Sequence, residues 1–195
     1  MGIKEQMEAA ERIEKFDAES RMINDDIHSL FKEIINRIKE FEEKICNEIK
    51  TKILEQGKSN NFDVTERGNK WTMKYGNLEY NGDLSSTVKY MERNNGTSYS
   101  KVEFILEPRK QLPNRNISLT GPYKDIFEQK EKKIIAEKSI LEALRNYKET
   151  LNETDITINY QMGKRDSFIA SLVSQEQKDN FKPIKADELI KIIIG

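Results

Sequence analysis

Apolar residues in the first part of the chain recur at helical spacing. Ile23, Ile27, Leu30, Ile34, Ile38, Phe41, Ile45, Ile49 and Ile53 step by four or three residues and so share one helix face. The stretch 3–56 holds neither Pro nor Gly. Six acid-then-base pairs at i,i+4, among them Glu8/Arg12, Glu33/Arg37 and Glu48/Lys52, support a single long helix. The mean step lies nearer an eleven-residue than a seven-residue repeat, which predicts straight or slightly right-handed packing. Phe31, Ile35, Cys46 and Leu54 widen the stripe and predict burial against more than one neighbour. Upstream, Ile3, Met7, Ala10, Ile13 and Phe16 continue it more weakly. Asp17–Arg21 interrupts the pattern, and a bend or change of phase is expected there.

Gly57-Lys58-Ser59-Asn60-Asn61 is expected to end the helix, after which the period changes to two. Trp71, Met73 and Tyr75 form one alternating set, Val88 and Tyr90 a second, and Val102, Phe104 and Leu106 a third. Arg67-Gly68-Asn69, Gly76-Asn77, Asn81-Gly82 and Asn94-Asn95-Gly96 separate them with residues suited to tight hairpins. The pattern predicts an antiparallel meander of four to five strands. Pro108 and Pro113 bound a basic connector, and Thr120-Gly121-Pro122 introduces a second helix expected over 122–151. Phe127, Ile134 and Leu141, with Ile140, Leu144, Tyr147 and Leu151, give it an apolar face. Ile156, Ile158, Tyr160 and Met162 predict one more strand, and Phe168, Ile169, Leu172 and Val173 a short helix capped by Asp166.

The expected fold class is therefore α+β. A long N-terminal helix of coiled-coil or bundle type (1–56) precedes a head (57–195) made of the meander (57–121), the second long helix, and a strand with short C-terminal helices (152–195). The element order resembles that of prefoldin-like chaperone subunits and of kinetochore-type heads on coiled stalks. That likeness is one of order alone and assigns no residue.

Length then sharpens the picture. A helix of ~54 residues spans ~80 Å, whereas one of ~29 residues covers ~44 Å. On that arithmetic, roughly half of the isoleucine stripe lacks cover from the second helix. Self-association through Ile23, Ile27, Leu30, Ile34, Ile38, Phe41, Ile45 and Ile49 is the expected remedy; a fold-back at Asp17–Arg21 is the other.

Composition narrows the function classes. Charged residues make up 34% of the 195 positions and apolar ones 36%, and no run approaches the ~20 apolar residues of a membrane span. Met1-Gly2-Ile3-Lys4-Glu5 enters charged residues at once, without the apolar core of a signal peptide, which points to the cytoplasm. One Cys and one His exclude an internal disulfide and histidine- or cysteine-rich metal centres, so no metal or cofactor is expected. His28 shares a helix face with Asp25, the spacing of a surface or interface histidine. Cys46, beside Ile45 on the stripe, reads as a small hydrophobe. Nucleophile elbows, phosphate-cradling Gly loops and dinucleotide fingerprints are missing, and no catalytic residue is nominated.

Charge is unevenly placed. Residues 1–56 hold 10 basic and 14 acidic side chains, whereas 57–121 hold 10 and 7. Arg109, Lys110, Arg115 and Lys101, with Trp71 and Tyr75, are the candidate partner-binding residues. The expectation is a non-enzymatic adaptor, assembly factor or inhibitor that binds itself and another protein. A nucleic-acid regulator using the basic sheet and connector is the alternative, with a nucleotide or small-molecule enzyme or sensor third. Heavy use of Ile, Lys and Asn suits an AT-rich bacterial, phage or mobile-element source.

Overall fold

A computed structural model describes residues 2–83, 88–94, 97–119, 122–162 and 181–194. The chain forms α1 (Ile3–Ser59), five strands β1 (Asp63–Arg67), β2 (Lys70–Tyr75), β3 (Leu78–Asp83), β4 (Val88–Asn94) and β5 (Thr97–Pro108), then α2 (Ile126–Thr150). A 3-10 turn (Glu153–Asp155), β6 (Ile156–Met162), β7 (Lys182–Ile184) and α3 (Ala186–Ile194) complete it. This is the expected α+β class. The helix predicted over 168–173 lies outside the described residues.

Two element ends differ from expectation. Gly57 does not stop α1; the helix runs on to Ser59 and closes two residues later. Phe62 N–H donates to Gly57 C=O at 3.0 Å, Asn61 N–H donates to Lys58 C=O at 3.1 Å, and Asn61 adopts φ 60°. That is the left-handed cap with its paired 6→1 and 5→2 bonds, supplied by Asn instead of Gly. At the other boundary, α2 begins at Ile126 and not at Pro122. The Asp125 carboxylate accepts from Glu128 N–H at 2.8 Å, and the Glu128 carboxylate accepts from Lys124 N–H at 2.8 Å. The cap satisfies the orphan Glu128 N–H, the return bond ties down the residue before the cap, and together they outweigh the proline's preset φ. The Lys124 bond, followed by the Lys132 ammonium, holds the Glu128 carboxyl below its ordinary value.

The chain divides into two compact units, and neither is contiguous. A helical unit comprises Met1–Ile38 and Lys110–Asn152, and a sheet unit comprises Lys39–Arg109 and Glu153–Gly195. The boundary expected at residue 56 is thereby redrawn: α1 belongs partly to each.

In the helical unit, α1 and α2 run parallel. Arg12 stands 4.8 Å over the Phe127 ring, Lys130 pairs with Asp17, and Lys148 reaches Glu33 at 2.5 Å, so pairing advances together along both helices. A parallel pair requires a returning segment, and the connector from Lys110 supplies it. Tyr147 donates its hydroxyl to Lys110 C=O at 3.1 Å, and the Arg115 guanidinium lies 3.6 Å over the Phe31 ring. Ile23, Ile27, Ile34, Ile38, Ile134, Leu141, Leu144 and Tyr147 are buried here. Helix α1 continues without interruption through Asp17–Arg21, and the expected bend is not found.

Among the described residues, the sheet unit carries seven strands in one antiparallel sheet in chain order, β1 to β7. Two-residue loops join β1 to β2 and β2 to β3, and Gly68 and Gly76 take φ 60° and 54° there, as hairpin twist demands. One face is apolar. Trp71, Met73, Val102, Phe104 and Ile158 pack with Ile49, Ile53 and Leu54 of α1 and Leu189, Ile190 and Ile193 of α3. A methyl added at Gly82 would stand 2.1 Å from the indole of Trp71, and one at Gly57 would stand 2.3 Å from Met73 Sδ.

Two substitutions check this packing. Leu144→Ala should lower stability by ~2–5 kcal/mol through the cavity it leaves, read by urea unfolding under circular dichroism. Gly82→Ala should cost ~1–3 kcal/mol and shift the emission of Trp71, the only tryptophan. Gly57→Ala should cost less, since a thioether end yields more easily than a ring and Ala favours the helix.

Candidate interaction surfaces

The predicted oligomer stripe is covered within the chain. Ile23, Ile27, Ile34 and Ile38 are buried and Leu30 is half-buried in the helical unit. Phe41 and Ile45 are half-buried and Ile49 is fully buried in the sheet unit. The expected shortfall of cover does not arise, because the length comparison counted only the second helix. The sheet and α3 take the stripe from Ile45 onward. What remains open is the upstream continuation. Ile3 is 80% and Met7 61% exposed, and Ala10 is exposed beside them. Since Arg12 stands level with Phe127, these turns of α1 extend past the start of α2.

Of the six predicted partner-binding residues, Trp71, Tyr75, Lys101 and Arg109 belong to the sheet unit and Lys110 and Arg115 to the helical unit. Trp71 is 3% exposed and belongs to the core, so it cannot stack on a base or on a partner's surface. A lone Trp alternating with Met73 was also the pattern of an inward-facing strand. Tyr75 lies at the end of that apolar face, 55% exposed, with its ring 5.5 Å from Phe62. Lys101 is the extra residue where the β4–β5 register shifts, and its side chain lies outside the described residues. Arg109 is exposed in the sheet unit, its backbone N–H bonded to Asp155 C=O at 2.7 Å. Lys110 and Arg115 are exposed in the helical unit.

The second face of the sheet is polar and mixed in charge. Lys74 pairs with Glu79 at 3.3 Å and Lys70 with Asp83 at 3.9 Å. Thr72 donates to Asn81 Oδ1 at 2.7 Å, Asn81 donates to Glu79 at 3.0 Å, and Gln161 donates to Glu103 at 2.7 Å. Cross-strand neighbours thus neutralise the described lysines of β2, in contrast to the continuous positive patch that phosphate binding favours. Exposed pairs such as Lys52–Asp187 at 2.8 Å and Lys44–Glu153 at 2.5 Å add little stability each.

Other candidate chemistry is sparse. His28 and Asp25 are both exposed on α1. Among the described residues, no three His, Cys, Asp or Glu side chains cluster to hold a metal ion, and no helix is long and apolar enough to cross a membrane. Cys46 is half-buried against the sheet core. Burial, then the carboxylates of Glu42 and Glu43 one turn earlier, pushes its thiol up to about 11.

The residue that sequence reasoning missed is Glu137, wholly buried in the helical unit and hydrogen-bonded to Ser20 and Asn24. Its signal was present. Glu137 falls in phase between Ile134 and Leu141, where an apolar residue is expected, and Ser20 falls in phase between Phe16 and Ile23.

No family model, curated protein or solved structure matches the chain. Its class rests on the fold: an α+β protein with a parallel helix pair and a seven-stranded antiparallel sheet.

The thiol gives a direct check. A raised pKa leaves less thiolate at pH 8 than an ordinary cysteine has. Alkylation of Cys46 should therefore be at least tenfold slower in the folded chain than in urea, on the order of the thiolate deficit. The rate should climb as pH approaches 11.

Proposed function

We propose that this is a non-enzymatic cytoplasmic interaction protein, an adaptor, assembly factor or inhibitor of bacterial mobile-element or phage origin. It associates with a second copy through the first turns of α1 and binds a macromolecular partner through the sheet unit. One observation carries the reading: the apolar seam of α1 runs on past the start of α2 into Ile3 and Met7, whose exposure has no counterpart in the covered isoleucines below. Contiguous aliphatic surface at a helix end favours another helix over water.

The interface expected at the isoleucine stripe lies higher on α1 in this reading. Ile34 and Ile38 serve the fold of one chain, and Ile3, Met7 and Ala10 serve association. The mixed charges of the open sheet face suit a protein partner better than a polyanion.

Light scattering over a range of concentrations tests this. The unmodified protein should exceed the 22.8 kDa of one chain. Ile3→Asp/Met7→Asp should return it to one chain with an unchanged helical signal. A 22.8 kDa species at the highest concentration of unmodified protein would overturn the self-association.

A further inference from the structure

The buried side chains of the helical unit are apolar except in one layer. Glu137 has no exposed surface. Its Oε1 accepts from Ser20 Oγ at 2.7 Å and from Asn24 Nδ2 at 2.6 Å, and Lys133 of its own helix lies 3.5 Å away. Oε2 has no hydrogen-bond partner, and Ser20 is itself buried. Above and below this layer the flanking ion pairs share one sense. Asp17 meets Lys130, Glu19 meets Lys138 at 2.6 Å and Glu33 meets Lys148 at 2.5 Å, always with the acid on α1 and the base on α2.

A buried carboxylate with one oxygen unsatisfied is a poor device for stability, since an apolar side chain of like volume usually serves as well or better. It is a strong device for choosing partners. Two α2 helices side by side would bring Glu137 against Glu137, without the Ser20 and Asn24 donors, and lysines against lysines. Two α1 helices would oppose acid with acid and leave Ser20 and Asn24 without their acceptor. Only the unlike pair satisfies the layer and its flanks together.

The geometry points to a pairing filter: the Ser20–Asn24–Glu137 layer and its one-sided charges commit α2 to α1 and exclude α2·α2 association between copies. The buried stripes of both helices are thereby joined as an unlike pair, and Ile3 and Met7, like Met22, Ile126 and Ile135, stay exposed outside the filter.

The test uses the full chain with Cys46→Ser, Ile3→Asp and Met7→Asp in every variant, so that association through the α1 tip cannot contribute. A spin label at Glu142→Cys, an exposed site on α2, reports whether two α2 helices meet. With Glu137 intact, the chain should have the mass of one copy and show no dipolar coupling. Glu137→Leu should stay helical, double in mass and show coupling at the separation of packed helices, ~10 Å between axes plus the label arms. Glu137→Gln should remain a single copy, because its amide oxygen still accepts from Ser20 and Asn24. A Glu137→Leu chain of one-copy mass without coupling overturns the filter. A Glu137→Leu chain that fails to fold overturns it too, since a carboxylate kept for selectivity is dispensable for stability. Loss of association through the α1 tip alone leaves these readings unchanged.

Discussion

The structure depends on covering one aliphatic stripe. Helix α1 presents its isoleucines over most of its length, and the chain meets that demand with two kinds of neighbour. In the helical unit the neighbour is α2, whose Ile134, Leu141 and Leu144 are buried with Ile23, Ile27, Ile34 and Ile38. In the sheet unit it is the apolar face of a seven-stranded sheet closed by α3, around Ile49, Ile53 and Leu54. Each fully buried aliphatic side chain contributes roughly 1.5–3 kcal/mol, well above the ~0–1 kcal/mol of an exposed ion pair. The burial therefore sets the fold, and the many surface charges adjust it.

Parallel pairing of α1 with α2 follows from how that cover is delivered. The segment from Lys110 returns beside the helices, tied by Tyr147 at its start and by Arg115 on Phe31 further along. Parallel neighbours bring unlike sequences into a fixed alignment, and the acids of α1 then meet the lysines of α2. Asp17, opposite Lys130, has its carboxyl held below the ordinary value mainly by that lysine. A lowered folded-state pKa means that this contribution is present above the carboxylate's usual range and fades as pH falls through it. The buried carboxylate of Glu137 adds selectivity where the aliphatic seam has none, because isoleucine faces are interchangeable and a half-satisfied carboxylate is not.

Much of this was legible in the residues. The 4-3-4 spacing from Ile23 to Ile53 specified a long amphipathic helix, and alternation at Trp71, Met73, Val102 and Phe104 specified strands with one dry face. Loops built on Gly68 and Gly76 marked tight hairpins, and both adopt the positive φ such turns need. The gap at Asp17–Arg21 looked like a break because Ser20 is polar. It is in phase with the stripe, and the helix carries it into the seam opposite another in-phase polar residue. The candidate binding set was less legible: Trp71 and Tyr75 share one face of β2, and only the tertiary packing shows that the core covers the first and stops short of the second.

Local pattern alone settled the element types, the dry faces and the approximate ends, since periodicity and turn chemistry act within a few residues. Tertiary structure decided which neighbour covers which part of α1, that α2 runs parallel to it, and that β6 and β7 extend one sheet in chain order. It also decided that Glu137 is buried and Trp71 is core. These outcomes rest on contacts between residues far apart in the chain, such as Ile158 with Ile184 and Ser20 with Glu137, and short-range spacing carries no record of such pairings.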